Sequence, residues 1–415
     1  MRLKAIGIAV GFCAVGALAK EKAVDMSRHA EYKLGTVMDR IMAHKFEQWK
    51  AKLTSGALNS TQWPRLNYTK CVNGIAEAIQ GDALHTFRCK NMDLYDFINH
   101  ATLGPPLATE DGATGSSIWG WTDPRSGREF IAVGMYPGTG LAEILPKGRL
   151  LILGFLPAPA ALGQHALWKE IRAYKNYMII GSELEDHGIQ IFDMRKEAPV
   201  TFSIDDVTGH FKDLPLGRTH NVVVNEELQY AVSVGAAPRE DACGAGLIFI
   251  DLKDPSKPTR LGCNALDGYV HDAQCIQYRG PDKRYLGHDI CYGYNEDSLT
   301  IYDVTNKANS SIISRTSYDG ASYTHQGWVL DPLNQEYLLL DDEYDERDAV
   351  GPAKDGYGAG VRVYDVSSIP ADPTGNIRIM YPNPDDQKGG VREVDVQPPS
   401  SQEHDGIQDG GSRPK

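Results

Sequence analysis

The sequence predicts an all-β fold, a β-propeller of four-stranded blades with a small N-terminal helical cap. The first observation is a series of strand-forming segments from residue 116 to residue 366, with no long helical pattern between them. Such a series argues against a parallel α/β sheet, in which helices alternate with strands. The second is a repeat of roughly 50 residues, within the range of propeller blades. The third is that each repeat carries four short strands, which is the blade pattern.

Length and charge limit the functions that the chain can serve. At 415 residues it exceeds one ordinary core and suits one large domain with extensions. The net charge of −13 argues against nucleic acid or an anionic membrane surface as the main partner. The 42 glycines, and the 20 tyrosines against 10 phenylalanines, are typical of a turn-rich β protein.

Residues 1–19 have the features of a secretory signal peptide. Arg2 and Lys4 precede an apolar run that ends in the small-x-small triplet Ala17-Leu18-Ala19, which predicts cleavage after Ala19. A membrane anchor is the alternative, but about 15 apolar residues are too few to span a bilayer comfortably. No later segment is long enough either, so we expect a secreted, extracellular protein without a membrane span in the mature chain.

Residues 20–115 are expected to form a helical and cysteine-bounded extension. Apolar residues recur at helical spacing between Val37 and Trp49, which predicts a peripheral helix in the cap. The propeller is assigned to residues 116–366. Residues 367–415 are rich in Pro, Gly, Asp and Gln, with almost no apolar clustering, and are expected to form a disordered tail.

Six cysteines remain after the signal peptide, and an even number in a secreted chain predicts disulfides. The predicted pairs are Cys71–Cys89, Cys243–Cys263 and Cys275–Cys291. The last two pairs are nearly symmetric about the turns at residues 253–255 and 280–284, so each would face its partner across an antiparallel hairpin. A structural metal site is the alternative for these four cysteines, but no C-x-x-C spacing supports it. Three sequons predict N-glycosylation at Asn59, Asn67 and Asn309.

The leading strand of a propeller blade normally lines the central channel, and three of these strands start at a histidine. The pairs are His220-Asn221, His271-Asp272 and His325-Gln326, with Trp168 at the comparable place one unit earlier. They would point at one mouth of the channel, where carboxylates from the acidic segments would join them. These carboxylates are Glu183, Glu296, Asp341, Asp342 and Glu343. Three imidazoles with carboxylates suit a divalent metal, which could activate water through an open coordination position.

A structural role is the alternative for the same residues. Each histidine pair would tie its blade to the next by hydrogen bonds, and recurrence at equivalent positions favours this role, because a catalytic residue need not recur. The acidic run at 341–348 lacks the spacing of a calcium loop, so a solvated loop is favoured there. Core packing is likewise favoured over a carbohydrate platform for four tryptophans: Trp119, Trp121, Trp168 and Trp328.

Five segments are long and unusual in sequence: HDAQCIQYRGPDKRY, HDICYGYNEDSLTIYDVTNK, YTHQGWVLDPLNQEYLLLDDEYDE, IWGWTDPRSGREF and THNVVVNEELQYA. They resemble the secreted choice-of-anchor B family, whose repeats are called LVIVD repeats, and the resemblance covers roughly Cys71 to Val366. It implies a β-propeller, secreted in fungal and similar eukaryotic members. Some members carry the label "regulatory P domain", an activity that no residue here explains. The family has no established reaction, so the resemblance implies fold and location rather than chemistry.

The chain departs from this family at its C-terminus. Members usually continue after the DDE repeat with at least one more blade, whereas here the fifth unit runs into the low-complexity tail. Either the ring closes with fewer blades, or the chain is truncated and the propeller is open. An open ring would expose an unpaired edge and invite association.

Two functions are compatible with these observations. The favoured one is a non-catalytic binding or scaffold module for an extracellular protein or glycan. The alternative is a metal-dependent hydrolase or lyase that uses the histidine-lined channel, and a divalent metal is the only cofactor suggested. The sequence leaves the ligand and the oligomeric state open. Histidines that meet at one point would favour the enzyme, and histidines bonded to neighbouring blades would favour the module.

Overall fold

The computed structural model describes residues 21–104, 114–163, 166–196, 202–318, 320–344, 361–366, 378–382 and 391–393. These residues form five antiparallel sheets arranged as the blades of a β-propeller, which confirms the predicted fold class. In each blade the strands of the repeat follow chain order from the innermost strand outward, and β1 (Glu21–Lys22) is the one described strand added to a blade from outside its repeat.

The first three blades have four strands each. Blade one contains β4 (Gly115–Thr122), β5 (Glu129–Met135), β6 (Gly138–Ile144) and β7 (Leu150–Pro157). Blade two contains β8 (Lys169–Tyr174), β9 (Tyr177–Ser182), β10 (Ile189–Asp193) and β11 (Gly209–Phe211). Blade three contains β12 (Asn221–Asn225), β13 (Tyr230–Val234), β14 (Leu247–Asp251) and β15 (Thr259–Asn264).

The last two blades each gain a fifth strand. Blade four contains β16 (Asp272–Gln277), β17 (Asp289–Asn295), β18 (Ser298–Asp303) and β19 (Ser311–Tyr318), and β1 (Glu21–Lys22) adds to its outer edge. Blade five contains β20 (Thr324–Val329), β21 (Tyr337–Asp342), β22 (Val361–Asp365), β23 (Arg378–Pro382) and β24 (Val391–Glu393). Residues 21 and 22 therefore complete the sheet of the fourth blade, far from them in sequence.

The core of the molecule lies between the blades. Apolar side chains interlock in four clusters, each shared by two consecutive blades. Middle strands are covered on both faces, so every residue of β13 is buried, as is β14 from Leu247 to Ile250. This burial explains why these strands are continuous apolar runs rather than alternating ones.

The inner strands of blades one and five are more exposed to solvent than the inner strands of blades two to four. The inner strands β4, β8, β12, β16 and β20 lie side by side in chain order. Ile118 on β4 is 59% exposed and Trp328 on β20 is 51% exposed, whereas β16 is buried from Asp272 to Cys275. A cleft of about 520 Å³ separates β4 from β20, with Trp119 and Trp328 on its walls.

Two helices lie on the propeller face where the inner strands begin. Asp25 caps α1 (Met26–Lys33), and Gly35, with a φ of 79°, reverses the chain into α2 (Thr36–Thr54). Ile41 of α2 packs with Tyr323 and Tyr344 of the fifth repeat. At the other end of α2, the Phe46 ring lies 5.5 Å from that of Trp168, and the Trp49 ring lies 6.1 Å from that of Tyr136. These contacts support the predicted helical cap.

The rest of the extension packs beside the first blade. It contains β2 (Ile75–Glu77), β3 (Thr86–Arg88) and α3 (His100–Leu103). The three predicted disulfides are confirmed: Cys71–Cys89, Cys243–Cys263 and Cys275–Cys291. Cys275 and Cys291 oppose each other in the β16–β17 register, as expected, whereas Cys243 lies in the loop before β14 rather than on the strand.

Most of the predicted disordered tail lies outside the described residues. Two of its segments, β23 and β24, are strands of the fifth sheet. Disorder of the tail stays a prediction, and residues 1–19 are also outside the described ranges. Within those ranges, no helix is both long and apolar enough to cross a membrane.

Candidate functional site

Three histidine rings meet where the inner strands begin. His220 and His271 directly precede β12 and β16, and His325 is the second residue of β20. The ring centroids of His220 and His271 are 4.1 Å apart, and those of His271 and His325 are 4.5 Å apart. Equivalent positions in consecutive blades therefore place three imidazoles in a row near the axis.

Each of these rings is oriented by a bond at Nδ1. His271 Nδ1 lies 3.0 Å from the backbone oxygen of His325, and His325 Nδ1 lies 3.2 Å from Asp341 Oδ2. His220 Nδ1 contacts a carboxylate oxygen of Glu183. The bonds of His220 and His271 cross to a neighbouring blade. Two of the three histidines therefore join blades through Nδ1, and the three rings also lie in sequence next to one another.

Glu343 lies next to this row of imidazoles. Its Oε2 is 3.8 Å from His325 Nε2, and its Oε1 accepts a 2.7 Å hydrogen bond from Nζ of Lys45 on α2. Within the described part of the chain, only His271, His325 and Glu343 place three potential metal-ligand atoms within 4.8 Å of one another.

These groups face a cavity of about 390 Å³, which we call the axial cavity. Polar residues at or just before the start of each inner strand line it: Ser117, Lys169, His220, His271 and His325, with Asn221 and Gln326 beside them. Lys45 and Glu343 lie at its edge. Its wall therefore offers hydrogen-bond donors and acceptors from every blade.

Burial and neighbouring charges set the protonation of the cavity wall. Burial, together with the adjacent His220 and His325, lowers the pKa of His271, so its imidazole is neutral at pH 7. Burial opposes protonation of His325 too, but the Asp341 carboxylate outweighs it and raises the pKa of that ring. Burial lowers the pKa of Lys169 to about 7.

Asp272, predicted to act with His271, lines the cleft between β4 and β20 instead of the axial cavity. Burial raises the pKa of Asp272. The Arg172 guanidinium lies in the same cleft, 4.4 Å above the Trp119 ring.

Glu296, also predicted to line the channel, belongs to a buried ion pair beside the N-terminal helices. Both of its carboxylate oxygens accept 2.8 Å hydrogen bonds from Arg239, whose Nη1 also donates to the Tyr32 backbone oxygen of α1 at 2.8 Å. The adjacent Asp297 lies 3.1 Å from His29 Nδ1 of α1. Glu296 and Asp297 form the turn between β17 and β18. We call His29, Arg239, Glu296 and Asp297 the clamp.

Asp342 is likewise structural rather than axial. Its carboxylate accepts hydrogen bonds from the Tyr318 hydroxyl at 2.7 Å and from the backbone amides of Ser322 and Tyr323 at 2.8 and 2.9 Å. It therefore fixes the loop that leads into β20. Its neighbours in sequence, Asp341 and Glu343, are the two acidic residues of this segment that reach His325.

The predicted glycosylation sites differ in accessibility. Asn67 and Asn309 are exposed, whereas Asn59 is half-buried and caps the short 3-10 helix Ser60–Gln62. Glycosylation at all three stays a prediction. Of the acidic run at 341–348, residues 345–348 lie outside the described ranges.

Sequence reasoning missed the three cationic residues that line the axial cavity: Lys45, Lys169 and Arg172. Lys169 follows Trp168, at the position held by Asn221 and Gln326 in later blades, so the repeat itself could have identified it. Its Nζ donates to the backbone oxygens of Tyr136 and Ala166. The repeat could not have identified Lys45, because this residue lies on a helix outside the repeat.

No family model matches the chain, and no curated protein matches it. Among solved structures, a protein from Lactobacillus plantarum is 10% identical with a TM-score of 0.42, covering 75% of this chain and 84% of its own. The Cps50 (Swd1) β-propeller domain of Myceliophteria thermophila is 11% identical with a TM-score of 0.34, covering 69% and 88%. A chain of the COPII outer coat vertex on membranes is 11% identical with a TM-score of 0.44, covering 79% and 88%. Similarity at this level assigns no ligand or reaction.

Proposed function

We propose that the protein is a secreted binding or scaffold module of the choice-of-anchor B type, and that its ligand binds in the axial cavity. The proposal rests on the convergence of polar side chains from all five blades, at or just before the start of each inner strand, on one cavity of about 390 Å³. Because packed blades hold these strands, the side chains are oriented before a ligand arrives, which lowers the entropy lost on binding.

The cavity wall favours a polar ligand. Lys169 is a cation or neutral amine near pH 7, Glu343 is an acceptor, and Asn221 and Gln326 can both donate and accept hydrogen bonds. Hydroxyl groups of a glycan, or a polar segment of an extracellular protein, match such a mixed surface. A purely apolar ligand would displace water from these polar groups without replacing its hydrogen bonds.

Secretion is supported by the signal-like residues 1–19 and by the three disulfides, which persist in oxidising compartments. The test is N-terminal sequencing of protein from the culture medium of a eukaryotic host. We expect the mature chain to begin at Lys20. Full-length chain retained inside the cells with reduced cysteines would contradict secretion.

Ligand binding is tested by probing a glycan array and a set of secreted proteins with the purified full-length chain. Gln326 lines the axial cavity and also the adjoining cleft between β4 and β20, so Gln326→Arg places a bulky cation where the two adjoin and is expected to abolish binding in the axial cavity. Gln62→Arg makes the same change on an exposed 3-10 helix and is the matched control. Binding that survives Gln326→Arg would locate the ligand outside the axial cavity.

A metal-dependent hydrolase or lyase is the second candidate function. It is favoured by one observation, the grouping of two imidazoles and the Glu343 carboxylate within 4.8 Å. A metal held by these three side chains would supply a Lewis acid that lowers the pKa of a bound water. The test is turnover of chromogenic esters, phosphoesters and glycosides by zinc-loaded protein. Equal rates with His325→Gln would exclude the axial cavity as an active site.

A further inference from the structure

We propose that His271, His325 and Glu343 form a binding site for one divalent first-row transition metal, and that Lys45 competes with this metal for Glu343. The inference rests on the proposed function, because it assigns a ligand to the same axial cavity. It also gives α2 a role beyond covering the propeller face.

The spacing of the three side chains is close to that of a metal site. Their candidate ligand atoms lie within 4.8 Å of one another, and His325 Nε2 is 3.8 Å from Glu343 Oε2. Atoms bound tetrahedrally to one zinc ion lie about 3.3 Å apart. Glu343 follows β21 in a turn and its side chain is 27% exposed, so rotation of its side chain can close the difference.

The Nδ1 atoms of His271 and His325 have the hydrogen-bond partners that are usual for metal-bound histidines. Metal-bound histidines usually donate their second ring N–H to a backbone carbonyl or a carboxylate, which fixes the tautomer and the ring orientation. Here a backbone oxygen lies 3.0 Å from His271 Nδ1, and the Asp341 carboxylate lies 3.2 Å from His325 Nδ1. With the proton on Nδ1, each Nε2 presents a lone pair, the form that binds a metal.

The donor set indicates the class of metal. Imidazole nitrogens suit zinc, copper, iron and nickel, and a carboxylate is a common third ligand for zinc and iron. Calcium and magnesium prefer oxygen ligands alone and are disfavoured by two imidazoles. The His220 ring, 4.1 Å from His271 and oriented by Glu183, is a further nitrogen donor beside the site.

Lys45 ties this site to the N-terminal helix. Its ammonium donates a 2.7 Å hydrogen bond to the same carboxylate that would bind the metal. The two side chains are 34% and 27% exposed, so solvent screens their ion pair and the pair is weak. A metal can therefore displace Lys45 into solvent, and removal of the lysine should strengthen metal binding.

The experiment is isothermal titration of metal-stripped, full-length protein with Zn²⁺, supported by the absorption spectrum of Co²⁺ bound in its place. We expect one zinc per chain. Glu343→Gln and His325→Gln should each weaken zinc binding at least about tenfold, while Lys45→Met should tighten it several-fold. The control is His288→Gln, which removes a histidine with a similar carboxylate bond of 2.7 Å, to Asp303, but on the surface.

Three results would overturn the inference: no saturable zinc binding, unchanged affinity in Glu343→Gln, or weaker binding in Lys45→Met. The tightening expected for Lys45→Met cannot arise from misfolding. Failures of the two proposals are distinguishable. Normal zinc binding with ligand binding that survives Gln326→Arg would refute only the axial ligand, and loss of ligand binding in Gln326→Arg without zinc binding would refute only the metal site.

Discussion

Two polar clusters beneath the N-terminal helices, the clamp and the axial histidines, differ in how completely the protein satisfies them. In the clamp, both oxygens of Glu296 bond to Arg239, and both oxygens of Asp297 lie within 3.2 Å of His29 Nδ1. In the axial cluster, each imidazole uses Nδ1 for a protein partner and lies in a cavity wall. A cluster that is fully paired holds structure, and one that borders open space is available to a ligand.

The ion pairs of the two clusters differ in how far they are exposed to solvent. The side chains of Glu296 and Arg239 are 1% and 15% exposed, whereas those of Glu343 and Lys45 are 27% and 34% exposed. Removing one partner of a buried pair leaves a charge without water or counter-ion. Removing one partner of a screened pair changes little. Similar ion pairs should therefore respond very differently to mutation.

The largest effect is expected for Glu296→Gln. It keeps the shape of the side chain but leaves the buried Arg239 guanidinium without its counter-charge, which should lower the free energy of unfolding by about 3–5 kcal/mol. Urea denaturation measures this change. Glu227→Gln, which removes a 49%-exposed carboxylate from a surface pair with Arg279, is the control and should cost less than about 1 kcal/mol. If both variants lost the same free energy of unfolding, the pair of Glu296 and Arg239 would contribute no more to stability than a surface pair.

An intermediate effect is expected from pH at Asp297. Burial raises the pKa of this carboxyl from 3.8 to about 6, against the opposing charge of His29. Because the folded state binds this proton more tightly, the contribution of Asp297 to stability is full below about pH 4 and is lost as pH rises through about 6. The stability difference between wild type and Asp297→Asn should fall by about 1–3 kcal/mol over that window. A difference that is flat from pH 4 to pH 7 would contradict the assignment.

The smallest effect is expected for the stability of Glu343→Gln. Its bond with Lys45 is partly exposed, so the free energy of unfolding should change by less than about 1 kcal/mol. Thermal or urea unfolding of the metal-stripped protein provides the measurement. If Glu343→Gln destabilised the fold as much as Glu296→Gln, the axial cluster would be a second structural clamp rather than a ligand site.

The repeat pattern was sufficient to predict the axial histidines. A propeller places equivalent positions of successive blades around one axis, so the spacing of His220, His271 and His325 predicts that their rings converge. The Cys275–Cys291 disulfide followed in the same way, because hairpin symmetry predicts which residues oppose each other. Both predictions depend only on local order within a repeat, which a single sequence displays.

The repeat pattern does not predict where the side chains of Glu296, Asp342 and Lys45 lie. Glu296 was placed in the channel because it occupies an acidic segment of its blade, but it has a φ of 53° in a tight turn, and its partner Arg239 lies in an irregular loop. Lys45 was missed because helical spacing predicts a helix without saying where it docks. Asp342 was misplaced because side chains alternate along β21, and three consecutive acidic residues do not reveal the register.

The turn that carries Glu296 and Asp297 also sets the order of events during synthesis. His29 and Asp297 are 268 residues apart in the chain. At ribosomal rates of roughly 5–20 residues per second, α1 emerges roughly 15–50 s before the turn that receives it exists. The contact between His29 and Asp297 can therefore form only after the fourth blade has been made, and Ile41 can reach Tyr323 and Tyr344 only after the fifth repeat has followed. The contacts of α2 with Trp168 and Tyr136 require only the first two blades, so the helices complete their docking in steps as blades are added.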